Sequence, residues 1–304
     1  MIEQIVKVLA EQSGLRLDLL LTDFSNQQEL GLSRTAVQKL ITDEHVFIDD
    51  CIVNKPHIKV KAGQRIKMLI PIKLDQGTLG EDIALEVVYE DDDLAIINKP
   101  SGLVVHPAPG NLEHTLVNAL LCRFKELSDI NPGRPGIVHR LDKETSGLLV
   151  VAKNNASHLK LAEQFASHSI ERTYIAIVNG AVEFDENIIE APIGRHPIKR
   201  KKMAVSYNDD TKYAKTHYRT LKRGANFSLL ELKPFTGRTH QLRVHLAFLG
   251  HPIVGDDKYG RKSDFSRLAL HAKSLGFIHP RTNKFLQFDS NIPEEFNEFI
   301  KKNI

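Results

Sequence analysis

The sequence predicts an α+β protein in which a small N-terminal unit precedes a larger domain built on a mixed or antiparallel sheet. Three observations predict it. Strand-like segments rich in Ile, Val, Leu, Tyr and Thr recur at short spacing after residue 82, and helical periodicity there is confined to a few short stretches. Before residue 71 the texture differs, with two amphipathic helical patterns running into a hairpin pattern. Between the two, residues 72–82 carry Gly-Thr and Gly-Glu breakers and no periodicity, which predicts a linker. A length of 304 residues, 41% hydrophobic and 26% charged, suits two packed domains and excludes a disordered, collagen-like or small disulfide-scaffold chain.

The elements follow in order. Leu17, Leu20, Leu21 and Phe24 fall at i, i+3, i+4 and i+7, one face of a helix. A second helix is predicted to start at Ser33 as its cap, turning Ala36, Val37, Leu40 and Ile41 inward and Arg34, Gln38 and Lys39 outward. Val46, Phe47 and Ile48, the acidic turn Asp49-Asp50 and then Ile52-Val53 read as a hairpin, and Pro56 and Gly63-Gln64 punctuate a further strand at Arg65–Ile70. The first domain therefore spans 13–71. In the second, 83–304, strands are predicted over 83–88, 94–97, 147–152, 173–178, 217–221 and 227–232, and helices over 116–124, 156–166, 241–249 and 294–301. Few helices beside many strands mean a sheet with helices packed on it.

No apolar run approaches the roughly 18 residues of a membrane span, and Glu3 and Glu11 stand where a signal peptide would be apolar. A cytoplasmic protein without a membrane partner, monomeric by default, is the expectation. Cys51 and Cys122 share no CxxC spacing, so they are expected to be packing residues.

The formal charge of +3 hides a strong asymmetry. From Gly194 to Arg243 there are thirteen Lys and Arg, Arg195, Lys199, Arg200, Lys201 and Arg238 among them, against three acids, an excess of ten. Such a run is either a solvated face or the footprint of a polyanion, because clustered cations gain affinity by releasing counterions from phosphates.

Three segments combine glycines with polar residues that a plain core would avoid: Asn98-Lys99-Pro100-Ser101-Gly102, His139-Arg140-Leu141-Asp142-Lys143-Glu144-Thr145-Ser146-Gly147, and Gly237-Arg238-Thr239-His240-Gln241-Leu242-Arg243-Val244-His245. Asp142 lies in a polar loop between apolar stretches, where it is either a turn residue or part of a site. Glu144, two residues on in a turn-like context, gives no carboxylate pair at a defined separation. His240 and His245 are five apart, about 140° around a helix, and so do not share the face that a metal-ligand pair needs. Gly-x-Ser-x-Gly, Gly-x-Gly-x-x-Gly and the phosphate-binding Gly-x4-Gly-Lys motif do not occur. No metal site and no nucleotide cofactor are expected.

Taken together, these three segments closely resemble the large-subunit ribosomal RNA pseudouridine synthase family. Residues 13–71 resemble the alpha-L RNA-binding module that such enzymes often carry, through Arg16-Leu17-Asp18, Ser33-Arg34, Val46–Ile48 and Val60-Lys61-Ala62-Gly63-Gln64. The resemblance implies a pseudouridine synthase catalytic domain that isomerises uridine in RNA, with large-subunit ribosomal RNA as partner and no cofactor. It assigns the catalytic aspartate to Asp142, the tyrosine of Arg172-Thr173-Tyr174 to Tyr174, and the arginine of Gln-Leu-Arg-Val-His to Arg243. Arg140 would hold the target nucleotide out of its stack. Leu270, with Leu242, Leu141 and Leu148, would wall the uracil pocket. RNA contacts are expected from Arg140, Arg195, Lys199, Arg200, Lys201, Arg238 and His240, and from Arg34 and Lys39 in the first domain. An RNA-binding assembly factor with an idle motif, or a hydrolase of RNA glycosidic bonds, would share much of this sequence.

Overall fold

A computed structural model describes residues 2–28, 32, 34–70, 78–108, 110–199, 202–260 and 265–304. The chain divides into two compact units, Met1–Gln76 and Gly77–Ile304.

In the first unit a strand β1 (Ile2–Lys7) precedes two helices, α1 (Leu17–Gln27) and α2 (Arg34–Thr42), and three strands, β2 (Val46–Ile48), β3 (Cys51–Ile52) and β4 (Arg65–Ile70). The sheet runs β1-β4-β2-β3, antiparallel throughout. Leu17, Leu20 and Leu21 of α1 and Val37 and Ile41 of α2 pack on Val46, Ile66 and Met68, as their helical spacing requires. Strand β1 lies ahead of the predicted start at residue 13 and pairs with β4 along its whole length. The two helices are tied by Asp18, which is fully buried and accepts hydrogen bonds from Arg16, Arg34 and Gln38 at 3.0, 2.9 and 2.7 Å. Burial pushes this carboxyl up, but the bonds from Gln38, Arg16 and Arg34 outweigh it and hold it at about 2. Arg34 and Gln38 therefore turn toward a buried acid instead of facing out, although half of the Arg34 side chain stays exposed. Lys39 is exposed. Ser33, the predicted cap, lies outside the described residues.

The second unit is built on a nine-stranded sheet among the described residues. In chain order its elements are β5 (Glu86–Glu90), β6 (Leu94–Lys99), α3 (Leu116–Arg123), β7 (Ser146–Ala152), α4 (Asn155–Ala166), β8 (Glu171–Asn179) and β9 (Glu186–Glu190). A small separate hairpin follows, β10 (Ile193–Arg195) with β11 (Met203–Val205). The chain then forms β12 (Lys215–Arg223), β13 (Phe227–Pro234), α5 (Gln241–Phe248), β14 (Leu270–Ile278), β15 (Phe285–Asp289) and α6 (Glu294–Asn303). The order is β5-β6-β7-β14-β8-β13-β12-β9, with β15 on the second half of β14.

Strands β6 and β7 are buried on both faces. Ala95, Ile97, Leu149 and Val151 meet Leu116 and Leu120 of α3, while Leu94, Ile96, Leu148 and Val150 meet Leu161 of α4. This is why their sequences are continuous apolar runs without alternation. Each helix has a side-chain cap, Thr115 for α3 and Asn154 for α4. A third cluster packs Leu242 and Leu246 of α5 and Phe296 and Ile300 of α6 against β8 and β13.

Among the described residues the sheet has one parallel pairing, where Ser146 and Gly147 of β7 lie beside His271 and Ala272 of β14. The start of β14 thus bridges β7 and β8, and beyond the bulge after Ala272 the strand stays paired with β8 while β15 replaces β7 on its other side. The approach is close enough that a Cβ on Gly147, whose φ is 111°, would stand 2.2 Å from the carbonyl oxygen of Ala272. A glycine is obligatory there.

Several expectations need correction. The predicted linker divides: 71–77 lies outside the described residues, whereas the carbonyl of Leu79 and the N–H of Glu81 are bonded to Asn118 on α3. The first strand forms over Glu86–Glu90 instead of 83–88, with Val87 and Tyr89 half-buried in alternation. Cys51 and Cys122 are both exposed, so neither is a buried packing residue. No described helix is long and apolar enough to cross a membrane.

Candidate active site

The loop from His139 to Thr145 enters β7 at the fork between β7 and β14, and it is held by backbone bonds from the segment that follows β6. Lys99, with no exposed surface, donates to the carbonyls of Pro100, Leu103 and Lys143 at 2.8, 2.9 and 3.1 Å, one acceptor for each ammonium proton. Burial pushes Lys99 down to about 7, with Glu144 and Asp142 pulling it back up. Ser101 Oγ donates to the Glu144 carbonyl at 2.6 Å, and the Gly102 N–H donates to that of Lys143 at 2.8 Å. On the other side, His139 Nε2 accepts the Val150 N–H at 3.0 Å, and its ring stacks on Phe165 at 4.3 Å. Burial, with Arg172 nearby, pushes His139 to about 3, so it is neutral and its Nε2 is free to accept. The motif residues around Asp142 are thus largely a frame for one loop.

Asp142 itself is held lightly. Its Oδ2 lies 3.4 Å from Arg243 NH1, and its Oδ1 lies 3.9 Å from His240 Nε2. Arg243, on α5 and nearly fully buried, spends its strongest bonds elsewhere: Nε and NH2 each meet an oxygen of buried Asp256 at 2.8 Å. The backbone N–H groups of Lys258 and Tyr259 complete the shell of Asp256. Burial would lower Arg243, but Asp256 overrides it, and the guanidinium ends above its ordinary value. Burial would likewise raise Asp256, and Arg243 holds it below the usual carboxylate range. Glu144 stands at 3.8 Å from Arg243 NH1 and makes no pair with Asp142.

The cleft around Asp142 has a volume of about 570 Å³. The structure brings Asp142, Tyr174, Arg243, Leu242 and Leu270 together on its wall, with Arg140, Arg238 and His240 at the same cleft. Tyr174 sits in β8 between Leu232 and Ala272, and burial pushes its phenol up. Leu141, Leu242 and Leu270 are buried, and Arg140 is exposed. Leu148 does not reach the cleft, because it points to the α4 side of β7. Arg238 Nε donates to the Tyr213 carbonyl at 2.9 Å and also borders a neighbouring recess of about 400 Å³ with Arg195 and Lys212. Lys199 is exposed in the β10–β11 hairpin, while Arg200 and Lys201 lie outside the described residues. Arg34 and Lys39 belong to the first unit.

Sequence reasoning gave no role to Phe165, Arg172, Asp256 or Tyr259. Asp256 carried a signal, the first of two acids after the apolar Pro252-Ile253-Val254-Gly255 and close behind the motif arginine. Phe165 and Tyr259 carried none, because their roles depend on tertiary neighbours.

A cleft lined by one lightly bonded carboxylate, apolar side chains, an aromatic ring and cationic side chains has the make-up of an enzyme site. Residues 93–248 match the family model described as RNA pseudouridylate synthase. An uncharacterised RNA pseudouridine synthase of Bacillus subtilis is 44% identical, over 96% of this chain and 95% of its own length. Ribosomal large subunit pseudouridine synthase D of Zymomonas mobilis is 42% identical, over 97% and 96%. Among solved structures, human RNA pseudouridylate synthase domain containing 1 is 29% identical with a TM-score of 0.58, over 70% of this chain and 85% of its own. The chain belongs to the RNA pseudouridylate synthase family, and it is an RNA pseudouridine synthase.

Proposed function

We propose that this enzyme converts uridines of large-subunit ribosomal RNA to pseudouridine in the cytoplasm, with Asp142 as its catalytic residue. The observation that carries the assignment is a carboxylate on the wall of the cleft whose closest side-chain partner among the described residues is 3.4 Å away, oriented yet free to engage a ribose. In the reaction the bond from uracil N1 to ribose C1′ breaks, the base turns, and a bond from C5 to C1′ forms as C5 loses its proton to water and N1 takes one up. Atoms balance within one nucleotide, so no cofactor is required. Asp142 serves as nucleophile at the ribose or as base for a ribose proton. Arg243 places the carboxylate. Tyr174 offers its ring face to the uracil, and Leu242 and Leu270 with Leu141 exclude water that would hydrolyse a detached base.

The target must leave its stack, at a cost of a few kcal/mol that contacts to flanking phosphates offset. Arg140 and Arg238 at the cleft, with Arg195, Lys199, Arg200 and Lys201 along the basic run, supply them. The first unit adds RNA affinity through Arg34 and Lys39, as an alpha-L module over 13–71. Support comes from the ribosomal large subunit enzyme of Zymomonas mobilis, similar over nearly its full length.

The test is tritium release from unmodified large-subunit ribosomal RNA labelled at uridine C5. Wild type should release tritium and Asp142→Ala should not, while binding the RNA equally well. Release by Asp142→Ala, or free uracil from wild type, would overturn the assignment.

A further inference from the structure

His240 is the second side chain facing Asp142, and its setting is unusual. Its backbone is left-handed, with φ of 56°, just before α5, and its side chain caps nothing. The ring is turned so that Nδ1 lies 2.7 Å from the hydroxyl of Tyr259 and Nε2 lies 3.9 Å from Asp142 Oδ1. Tyr259 stands edge-on to it, with 5.6 Å between ring centres, and beneath the Arg243 guanidinium at 5.3 Å.

The hydrogen-bond directions around Tyr259 can be worked out. The Met203 N–H donates to the Tyr259 oxygen at 2.9 Å. A phenol has one proton of its own, and among the described residues the acceptor within reach is His240 Nδ1. Burial raises the phenol and lowers the imidazole, with Asp142 pulling the latter back up and Arg243 and Lys258 pushing it further down. A neutral imidazole that accepts at Nδ1 carries its proton on Nε2.

We propose that Tyr259 is a positioning residue that fixes His240 as its Nε2–H tautomer, so that the ring presents an N–H to the carboxylate oxygen of Asp142 that Arg243 does not take. This rests on the catalytic reading of Asp142. The 3.9 Å separation is longer than a hydrogen bond, and it closes when substrate orders the site. The two oxygens of Asp142 are then distinct: Oδ2 faces a guanidinium, and Oδ1 faces a neutral donor that can be released to a ribose. Nothing in the sequence motif marks Tyr259, which lies nineteen residues beyond His240.

The test has a spectroscopic arm and a kinetic arm. Long-range proton–nitrogen correlation on uniformly ¹⁵N-labelled full-length protein reports the tautomer of each histidine, and the His240 signal is the one missing from His240→Gln. Wild type should show His240 protonated at Nε2. In Tyr259→Phe the proton should redistribute between the nitrogens, and single-turnover tritium release should slow about tenfold, the loss of one ordinary hydrogen bond. RNA affinity should stay within about twofold, since no phosphate contact changes. His240→Gln, whose amide keeps a donor near the Nε2 position, should be faster than His240→Ala. A wild-type Nδ1–H tautomer overturns the proposal, as does an unchanged tautomer or full rate in Tyr259→Phe. Full turnover by Asp142→Ala would refute the catalytic reading instead, a result the tautomer measurement does not mimic.

Discussion

Replacing Arg243 by Lys separates its two bonding roles. The guanidinium reaches three sites at once: Nε and NH2 meet Asp256 at 2.8 Å, and NH1 is left toward Asp142 at 3.4 Å. A lysine carries one nitrogen, which cannot satisfy both oxygens of Asp256 and still face Asp142. Because Asp256 is fully buried, the ammonium stays with it. Loss of one of two charge-assisted bonds to a buried carboxylate costs about 2–3 kcal/mol, which for a unit of this size lowers Tm by roughly 5–10 °C. At 3.4 Å and an effective dielectric near 20, the attraction lost by Asp142 is about 5 kcal/mol as a ceiling, shared between ground and transition states. A fall of about 100-fold in single-turnover rate is expected, with RNA affinity little changed. The assay is single-turnover tritium release beside a thermal melt of the same preparation. A normal rate with a lowered Tm would reduce Arg243 to a structural ion pair, and a normal rate with a normal Tm would refute the bonding geometry itself.

Lys99→Met leaves the carbonyls of Pro100 and Leu103 without the lysine donor and that of Lys143 with the Gly102 N–H alone, so the unit should lose at least about 2 kcal/mol and the loop should lose turnover before it loses RNA binding; urea titration and a filter-binding measurement distinguish the two. Gly147→Ala forces a Cβ into the Ala272 carbonyl and should prevent soluble expression or lower Tm by 10 °C or more, roughly the shift expected from a strained core substitution, whereas Gly102→Ala, with open space around it, should be far milder. Asp18 titrates at about 2 in the fold against an ordinary 3.8, so its stabilisation is present above pH 3.8 and is lost as pH falls through 2. With both arginines half exposed, the contribution is at most about 2 kcal/mol, and Asp18→Asn should speed amide exchange in α1 and α2 at pH 7 while flattening the acid limb.

The elements that the sequence made legible are those whose pattern is a consequence of local burial. The runs in β6 and β7 and the helices α3 and α4 read directly, because each is covered on the faces its sequence leaves apolar. Strand β14 was missed, although it joins the two halves of the sheet. Lys273, Ser274 and the bulge after Ala272 break its alternation, and while it keeps β8 on one side its other partner changes from β7 to β15 midway. Strand β9 was missed because it is an edge, where Ile188 is exposed and Ile189 alone is deeply buried. At the site, the motif residues were legible as a group but not in their division of labour. Lys99 and His139 hold backbone, a role that only the folded loop defines. Asp256 and Tyr259 act on motif residues from a segment that folds back beneath α5, a proximity with no counterpart in spacing along the chain.

That division has a chemical logic. The loop around Asp142 is fixed by many short bonds, all of them to its backbone or to neighbouring side chains, whereas the carboxylate has none shorter than 3.4 Å. An aspartate that must leave one partner for a ribose and later return would be slowed by every strong bond it had to break. If Arg243 closed to 2.8 Å on Asp142, the pair would be deeper in the ground state than in the transition state, the wrong sense for catalysis. Asp256 prevents this by occupying two of the three faces of the guanidinium, and it is itself held in place by the backbone N–H groups of Lys258 and Tyr259. His240, kept neutral by burial, stands by the other oxygen without a full charge to trap it. With Asp142 as the proposed catalytic residue, the rigidity of the frame and the looseness of the carboxylate are one device: position is set through the backbone, so that the carboxylate oxygens can exchange partners without moving the loop that carries them.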